Sequence, residues 1–200
     1  MRLALLFGFI ILSKITLSQV IPKFELTKNG VQPIFITIDS LNARKLNKKT
    51  VNWINDYYKN PDEVNKIELE SDRIHINGLK KNAWMYKGKD TTIHYDVEYF
   101  LHLNFEDNAI SMSIDFGKTW DQSSGKGIQS YDLNYTKLWK QNGDVYPVYK
   151  DTKAGMDAMM NELATSLVSH LKEDHNSTEE ITSKHPLHKL WLKLKVKDAN

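Results

Sequence analysis

The stretch from Thr91 to Phe116, TTIHYDVEYFLHLNFEDNAISMSIDF, alternates apolar with polar residues almost without a break. This alternation has the period of a β-strand, in which successive side chains point to opposite faces of the sheet. Asp107 and Asn108 interrupt the pattern, and both side chains tolerate the left-handed backbone angles of a two-residue turn. The stretch therefore predicts a long antiparallel hairpin.

A turn at Asp107 and Asn108 sets the register of this hairpin, because every apolar side chain then meets an apolar partner. On the apolar face the predicted pairs are Phe105 with Ile110, Leu103 with Met112, Leu101 with Ile114 and Tyr99 with Phe116. On the polar face they are Asn104 with Ser111, His102 with Ser113, and Phe100 with Asp115. A slip of one residue would turn both sets to the wrong face, so the register is well determined.

A strand and a helix are predicted before the hairpin. Residues 34–38 alternate isoleucine with other side chains and predict a strand, and Ser40 is a suitable N-cap for the helix that follows. Asn60 and Pro61 end that helix. Its apolar and aromatic side chains recur at helical spacing and predict a face packed on a sheet: Leu46, Thr50, Trp53, Ile54, Tyr57 and Tyr58.

Two short strands are predicted at residues 63–70 and 73–77, joined by a turn at Ser71 and Asp72. Asn77 and Gly78 are either a second turn or a bulge, and the chain can continue as a strand through Trp84. After the long hairpin, glycines and serines at residues 117–130 predict a loop. A second helix is predicted at residues 152–174, with this apolar stripe: Met156, Met159, Met160, Leu163, Leu167, Val168 and Leu171. The order β-α-β-β-β-β-α predicts an α+β domain in which helices pack on an antiparallel sheet.

The N-terminal segment predicts export. Residues 1–18 combine Arg2 with an apolar core too short to span a bilayer, and small residues precede a cleavage site near Ser18 and Gln19. The chain has no cysteine, which excludes disulfides and the modified cysteine of a lipoprotein. We therefore expect a periplasmic or secreted protein with a single domain at residues 19–175.

Charge argues against nucleic acid as a partner. Of 27 basic residues, Arg2 and Lys14 leave with the predicted signal peptide, so 25 basic residues face 25 acidic ones. A polyanion-binding protein would normally carry a basic excess.

Residues 176–200 form a linker and a basic tail. The segment HKLWLKLKVK has the alternation of a strand, with Trp191 on the side of its lysines, Lys189, Lys193, Lys195 and Lys197. Such a strand can add to a sheet edge, where lysines discourage aggregation. It can also contact an acidic partner or dock peripherally on a membrane surface.

The polar face of the hairpin is the candidate binding site. Across the two strands it carries His94, Asp96, Glu98, His102, Ser113 and Asp115, and Trp191 of the tail is a further candidate. His94 and His102 lie about 27 Å apart along a straight strand, so they cannot hold one metal ion together. These residues favour a module without a cofactor that binds a protein, peptide or glycan.

Catalytic alternatives remain for smaller subsets of this face. His94 and Asp96 could supply two ligands to zinc in a metal-dependent hydrolase, with His75 as the third if its strand is adjacent. Asp96 and Glu98 could form a carboxylate pair for glycoside chemistry. No nucleophile-elbow, zinc-protease or dinucleotide-binding motif occurs in the sequence.

Two segments, FITIDSLNARKLNKKTVNWINDYY and YFLHLNFEDNAISMSIDF, carry a resemblance to a known family. In their order and patterning they resemble a domain-of-unknown-function family with a TATA-binding-protein-like (TBP-like) fold, common in exported proteins of Bacteroidetes. The resemblance covers about Pro33 to Trp120 and extends to the second helix. It implies a curved sheet backed by two helices and supplies no catalytic residues. The DNA-binding function of the fold's namesake does not follow from it.

Overall fold

A computed structural model describes residues 21–121, 129–132 and 134–173. The predicted signal peptide at residues 1–18 and the predicted tail at residues 176–200 lie outside these ranges, so both stay predictions. In the described part of the chain, no helix is long and apolar enough to cross a lipid bilayer.

The described residues form two helices, eight strands and short 3₁₀ turns. The strands are β1 (Leu26–Thr27), β2 (Gly30–Val31), β3 (Ile34–Thr37), β4 (Val64–Leu69), β5 (Arg73–Lys87), β6 (Thr92–Glu106), β7 (Ala109–Asp121) and β8 (Gln129–Asp132). The helices are α1 (Ala43–Tyr57) and α2 (Lys150–Lys172). Strands β3 to β8 make a six-stranded antiparallel sheet in the order β3-β7-β6-β5-β4, with β8 also paired to β7. The predicted α+β order is confirmed, and the β1–β2 hairpin and β8 are additions to it.

The predicted register of the β6–β7 hairpin is confirmed at every pair. Leu101 lies opposite Ile114 and His102 opposite Ser113, with the two-residue turn at Asp107 and Asn108. Asn108 adopts the left-handed conformation that the turn requires, with φ at 62°. Leu101 and Ile114 are buried. The apolar face of the hairpin therefore packs beneath the helices, as the sequence predicts.

The same turn also fixes the start of α1. Asp107 Oδ1 accepts a hydrogen bond from the backbone N–H of Ala43 at 2.9 Å, and the Asn108 N–H donates to the carbonyl of Leu41 at 2.8 Å. The predicted N-cap Ser40 is wrong. Asn42 is the N-cap, and its side chain accepts from the N–H of Lys45.

The predicted continuation of the second short strand through Trp84 is confirmed, whereas the predicted bounds of one loop are wrong. Strand β5 runs on to Lys87, because an irregularity between Lys80 and Trp84 lets the strand absorb extra residues and then resume pairing with β6. The loop predicted at residues 117–130 is shorter, since β7 extends to Asp121 and β8 begins at Gln129. Residues 122–128 lie outside the described ranges.

Both helices cover the same face of the sheet, and the predicted stripes are buried except at Tyr57, which is half-buried. The indole N–H of Trp53 in α1 donates to Ser166 Oγ in α2 at 3.0 Å. Tyr58, at the end of α1, and Tyr99 of β6 share a buried hydroxyl hydrogen bond of 2.8 Å. Burial raises the pKa of both tyrosines, so both hydroxyls stay neutral and one donates to the other.

The N-terminal segment is held to α2 by polar side chains of the helix. The amide side chain of Asn161 accepts from the N–H of Phe24 and donates to its carbonyl, both at 2.9 Å. Asp157 accepts from the N–H of Leu26 at 2.7 Å. Phe24 and Leu26 are buried by this contact.

Candidate functional site

The helices leave one side of the sheet uncovered, and we name this side the open face. Its side chains form three rows that run across the strands. The histidine row is Glu68, His75, His102 and Ser113; the asparagine row is Lys66, Asn77, Phe100 and Asp115; the arginine row is Arg73, Asn104, Ser111 and Phe35. Neighbouring rows lie about 7 Å apart, because two residues of strand separate them.

The histidine row brings two imidazole rings into contact. The ring centroids of His75 and His102 are 4.6 Å apart and the ring planes meet at 81°. Each ring faces a carboxylate, with His75 Nδ1 at 3.9 Å from Glu68 and His102 Nε2 at 3.8 Å from Asp115. Burial lowers the pKa of His102, the neighbouring His75 lowers it further, and Asp115 partly opposes both effects.

The asparagine row is part of a chain of side-chain hydrogen bonds across three strands. Asn65 donates to the Asn77 amide oxygen at 3.2 Å, and Asn77 donates to Glu98 at 2.9 Å. The Glu98 carboxylate then lies over Gly117 of β7, where a Cβ atom would overlap both Glu98 and Phe100. These contacts hold the polar groups of the face in place before any ligand arrives.

A shallow depression of about 280 Å³ lies over the histidine and asparagine rows. Its lining includes Lys66, Glu68, His75, Asn77, Phe100 and His102. Pockets for drug-sized molecules usually hold roughly 300–1,000 Å³ and enclose their ligand. The depression is therefore suited to one side chain or one sugar ring of a larger ligand.

Phe35 stands at the end of the arginine row and is 71% exposed. Two other large apolar side chains in the described part of the chain are exposed, Tyr146 at 43% and Val148 at 40%. Phe35 pairs with Ser111 of β7 across the strands. The open face thus ends in an apolar ring at the β3 side.

The prediction that the polar side of β6 is open to solvent along its whole length is wrong at Asp96. Asp96 is only 9% exposed. Its carboxylate accepts from the N–H of Asn82 at 2.8 Å, within the irregular part of β5. Asn82 has a positive φ of 49°, so the carboxylate satisfies a strained backbone segment. Asp96 therefore supports the strand and does not present its carboxylate to a ligand.

The structure does not bring the three predicted metal ligands together. His94 is exposed and lies opposite Met85, whereas His75 lies opposite His102, eight residues further along β6. Across the described ranges, no group of three or more histidine, aspartate or glutamate side chains is close enough to hold a metal ion. The two members of the predicted carboxylate pair bind different partners. Asp96 accepts from the N–H of Asn82, and Glu98 accepts from the side chain of Asn77.

Ser113 lies opposite His102, as predicted, with Asp115 nearby. A serine nucleophile needs a hydrogen bond to a base that accepts its proton. In the described residues the structure contains no hydrogen bond between Ser113 and His102. The contacts that this row shows are the ring contact between His75 and His102 and the approach of each ring to a carboxylate. Trp191 and the tail lysines are outside the described residues.

Sequence reasoning missed several members of the open face. Glu68, Lys66 and Asn77 were not among the candidates, although a turn at Ser71 and Asp72 already pairs Glu68 with His75. Phe35 falls within a predicted strand, but the alternation does not single it out as a site residue. Its exposure could have been inferred from its place between Ile34 and Ile36, both of which are buried.

No protein-family model matches the chain, and no curated protein matches its sequence. Solved structures do show similarity. A DUF4468 family protein from Bacteroides ovatus ATCC 8483 superposes with a TM-score of 0.51 and 10% sequence identity, covering 78% of this chain and 93% of that chain. The two proteins share a fold. A TBP-like protein from Parabacteroides distasonis ATCC 8503 has a TM-score of 0.46 and 12% identity, covering 71% of this chain and 92% of that chain.

The sequence resemblance to a domain-of-unknown-function family is confirmed at the level of the fold by the Bacteroides ovatus structure. At this identity the likeness extends to architecture alone, because one fold hosts many functions. The function must be argued from the open face.

Proposed function

We propose that this chain is an exported, non-enzymatic binding module whose open face takes a segment of a protein partner. The observation that carries the proposal is Phe35, which is 71% exposed at the end of the arginine row. An aromatic ring exposed to water does not gain the favourable free energy that comes from removing its apolar surface from water. Aromatic side chains are frequent anchors of protein interfaces. Covering Phe35 would supply an apolar anchor for such an interface.

The rest of the open face supports a protein ligand over a small molecule. Its depression is shallow, and hydrogen-bonding groups extend over strands β3 to β7. Charges of both signs lie on or beside it: Lys66 pairs with Glu68, Arg73 pairs with Glu70, and Asp115 lies beside His102. Mixed polar groups around an apolar anchor are characteristic of transient protein interfaces.

Electrostatics supports the prediction that nucleic acid is not the ligand. Glu68, Glu98 and Asp115 place three carboxylates on or beside the open face. A nucleic-acid backbone would meet repulsion there, because its recognition depends on neutralising phosphates with lysine and arginine.

The proposal of export rests on the sequence pattern of residues 1–18. If the chain is exported, protein recovered from the cell envelope or the medium begins near Gln19. Mass spectrometry of the intact protein measures this directly. Recovery from the cytoplasm of a chain that retains Met1 to Ser18 would overturn export. This result would not affect the binding proposal, which the next experiment tests separately.

Photo-crosslinking tests the binding proposal. A photoreactive phenylalanine analogue is placed at position 35 of the full chain, and in a matched control at position 146, whose aromatic ring is also exposed but lies outside the sheet. Both variants are produced in the native organism and irradiated. We expect a discrete protein adduct from position 35, lost with Arg73→Ala and Asn104→Ala together, and no such adduct from position 146.

Adducts of the same mass and yield at both positions would contradict the proposal, because they would show contact without preference for the open face. The absence of any adduct at position 35, with a glycan that shifts the NMR signals of Phe35 and Phe100, would move the ligand to the carbohydrate class. That outcome also overturns the protein partner.

A further inference from the structure

Strand β3 forms one free edge of the described sheet. It pairs with β7 on one side, and Ile38 donates its N–H to the carbonyl of Asn108 at 2.8 Å. The backbone N–H and C=O groups of successive residues in an antiparallel strand point to alternate sides. Those of Ile34, Ile36 and Ile38 therefore point towards β7. The N–H and C=O groups of Phe35 and Thr37 therefore point away from the sheet. The described residues provide no backbone partner for them.

A small apolar groove of about 120 Å³ runs beside this edge. It is lined by Ile36 of β3, by Val168 and Lys172 of α2, and by Ile21 and Pro22. An uncovered apolar groove next to unpaired backbone groups is a site where a strand can add to a sheet.

The chain itself leaves α2 at this groove. Lys172 lines the groove and is the last residue of α2. Residues 173–189 then lead to Leu190, and 17 residues can span at most about 56 Å when fully extended. The linker is therefore long enough to place the tail along β3.

We propose that residues Lys189–Lys197 of this chain add to the free edge of β3 as a further strand. Leu190, Leu192, Leu194 and Val196 then lie on the side of the groove and the helices, while the lysines and Trp191 lie on the open face. Trp191 extends the aromatic end of the open face next to Phe35. The lysines at the new edge discourage further strand addition. This proposal does not depend on which ligand the open face binds.

Amide hydrogen exchange measured by NMR tests the proposal at the two backbone groups concerned. The full chain beginning at Gln19 is compared with a chain that also ends at Asn176. We expect the Phe35 and Thr37 amides to exchange at least about tenfold faster in the shorter chain, because they lose their hydrogen-bond partners. The Leu101 amide, in the middle of the sheet, should keep the same rate in both.

A second pair of variants keeps the full length and tests the side-chain pattern. Leu192→Lys together with Leu194→Lys places charges in the apolar groove and should accelerate exchange at Phe35 and Thr37 as truncation does. Lys193→Gln, on the opposite side of the tail, should leave both rates unchanged. Equal rates in all chains overturn the proposal, as does protection that depends on protein concentration, which would indicate a second copy at this edge. A tail used only for membranes would also leave both amides unprotected without lipid.

Discussion

The imidazole rings of His75 and His102 meet edge to face on adjacent strands, with 4.6 Å between their centroids. Each ring has a carboxylate on its other side, Glu68 beside His75 and Asp115 beside His102. Protonation of one ring therefore changes the field at the other. The charge of His75 acts in this way on His102, whose pKa it lowers.

The titration of His102 should reflect its three neighbours. We expect an NMR midpoint below 6.5, because burial and His75 both lower the pKa. His75→Asn should raise this midpoint and Asp115→Asn should lower it further, since these changes remove a repulsive and an attractive charge. A midpoint that responds to neither substitution would contradict the ring contact and the carboxylate contact.

Stability should fall as His102 becomes protonated. Its folded-state pKa lies below the ordinary value of 6.5, so the unfolded chain binds a proton more readily. The contribution of His102 is therefore present above pH 6.5 and is lost as the pH falls through the lowered folded-state pKa. Urea unfolding measures the free energy of unfolding at about pH 7.5 and about pH 5.5. The decrease in this free energy between the two pH values should be smaller for His102→Asn than for the unchanged chain.

Removing the carboxylate of Asp96 should destabilise the protein. Asp96→Ala leaves the N–H of Asn82 without this partner in a segment that is part-buried, and we expect a loss of about 2 kcal/mol in the free energy of unfolding. Asp96→Asn keeps an acceptor oxygen and should cost less. Glu106→Ala, at an exposed position of the same strand, serves as the control and should change stability by less than about 0.5 kcal/mol. A loss for Glu106→Ala equal to that of Asp96→Ala would contradict this role.

Gly78 should not tolerate a side chain. A Cβ atom there would overlap the ring of Tyr99, which lies opposite on β6. We expect Gly78→Ala to lower the free energy of unfolding by about 1–3 kcal/mol, as overpacking commonly does. In a Tyr99→Leu background the same substitution should cost much less, measured as a double-mutant cycle. Equal costs in the two backgrounds would locate the strain elsewhere.

The buried hydroxyl pair should show strong non-additivity. Tyr58→Phe leaves the Tyr99 hydroxyl without its partner in the core, at a cost of about 1–3 kcal/mol in denaturant unfolding. Replacing both tyrosines by phenylalanine should cost less than the sum of the single changes, because no buried hydroxyl then remains. Tyr57→Phe, which loses only an exposed bond to Glu162, should cost less than about 1 kcal/mol. Full additivity would contradict a direct bond between Tyr58 and Tyr99.

The β6–β7 hairpin could be predicted from Tyr99 to Phe116 because its turn and its alternation specify the same register. The register shift between Val97 and Tyr99, and the pairing beyond it, could not be predicted. The pairing of β5 with β6 could not be predicted either. Near the turn Lys87 lies opposite Thr92, and counting onwards from this pair would place His75 opposite Asn104. The irregularity between Lys80 and Trp84 shifts the register by two residues and brings His75 opposite His102. Nothing in the local pattern of residues 80–84 indicates how many residues the strand absorbs there.

The burial of Asp96 follows from the same irregularity. On an uninterrupted strand its carboxylate would share the solvated face with Glu98, as the alternation predicts. The extra residues of β5 instead bring the N–H of Asn82 within 2.8 Å of the carboxylate. The capping of α1 by Asp107 was missed for a different reason, since this contact joins residues 64 positions apart. Sequence spacing carries no information about such a distant contact.

The contact between Phe24 and Asn161 joins residues 137 positions apart. While the chain is still growing on the ribosome, strands β3 to β7 are available long before α2, the helix that covers them. An emerging chain that stopped before Lys150 would expose the apolar underside of its sheet and would be prone to aggregate. Folding of this protein is therefore completed by the finished chain, once its last helix has been synthesised.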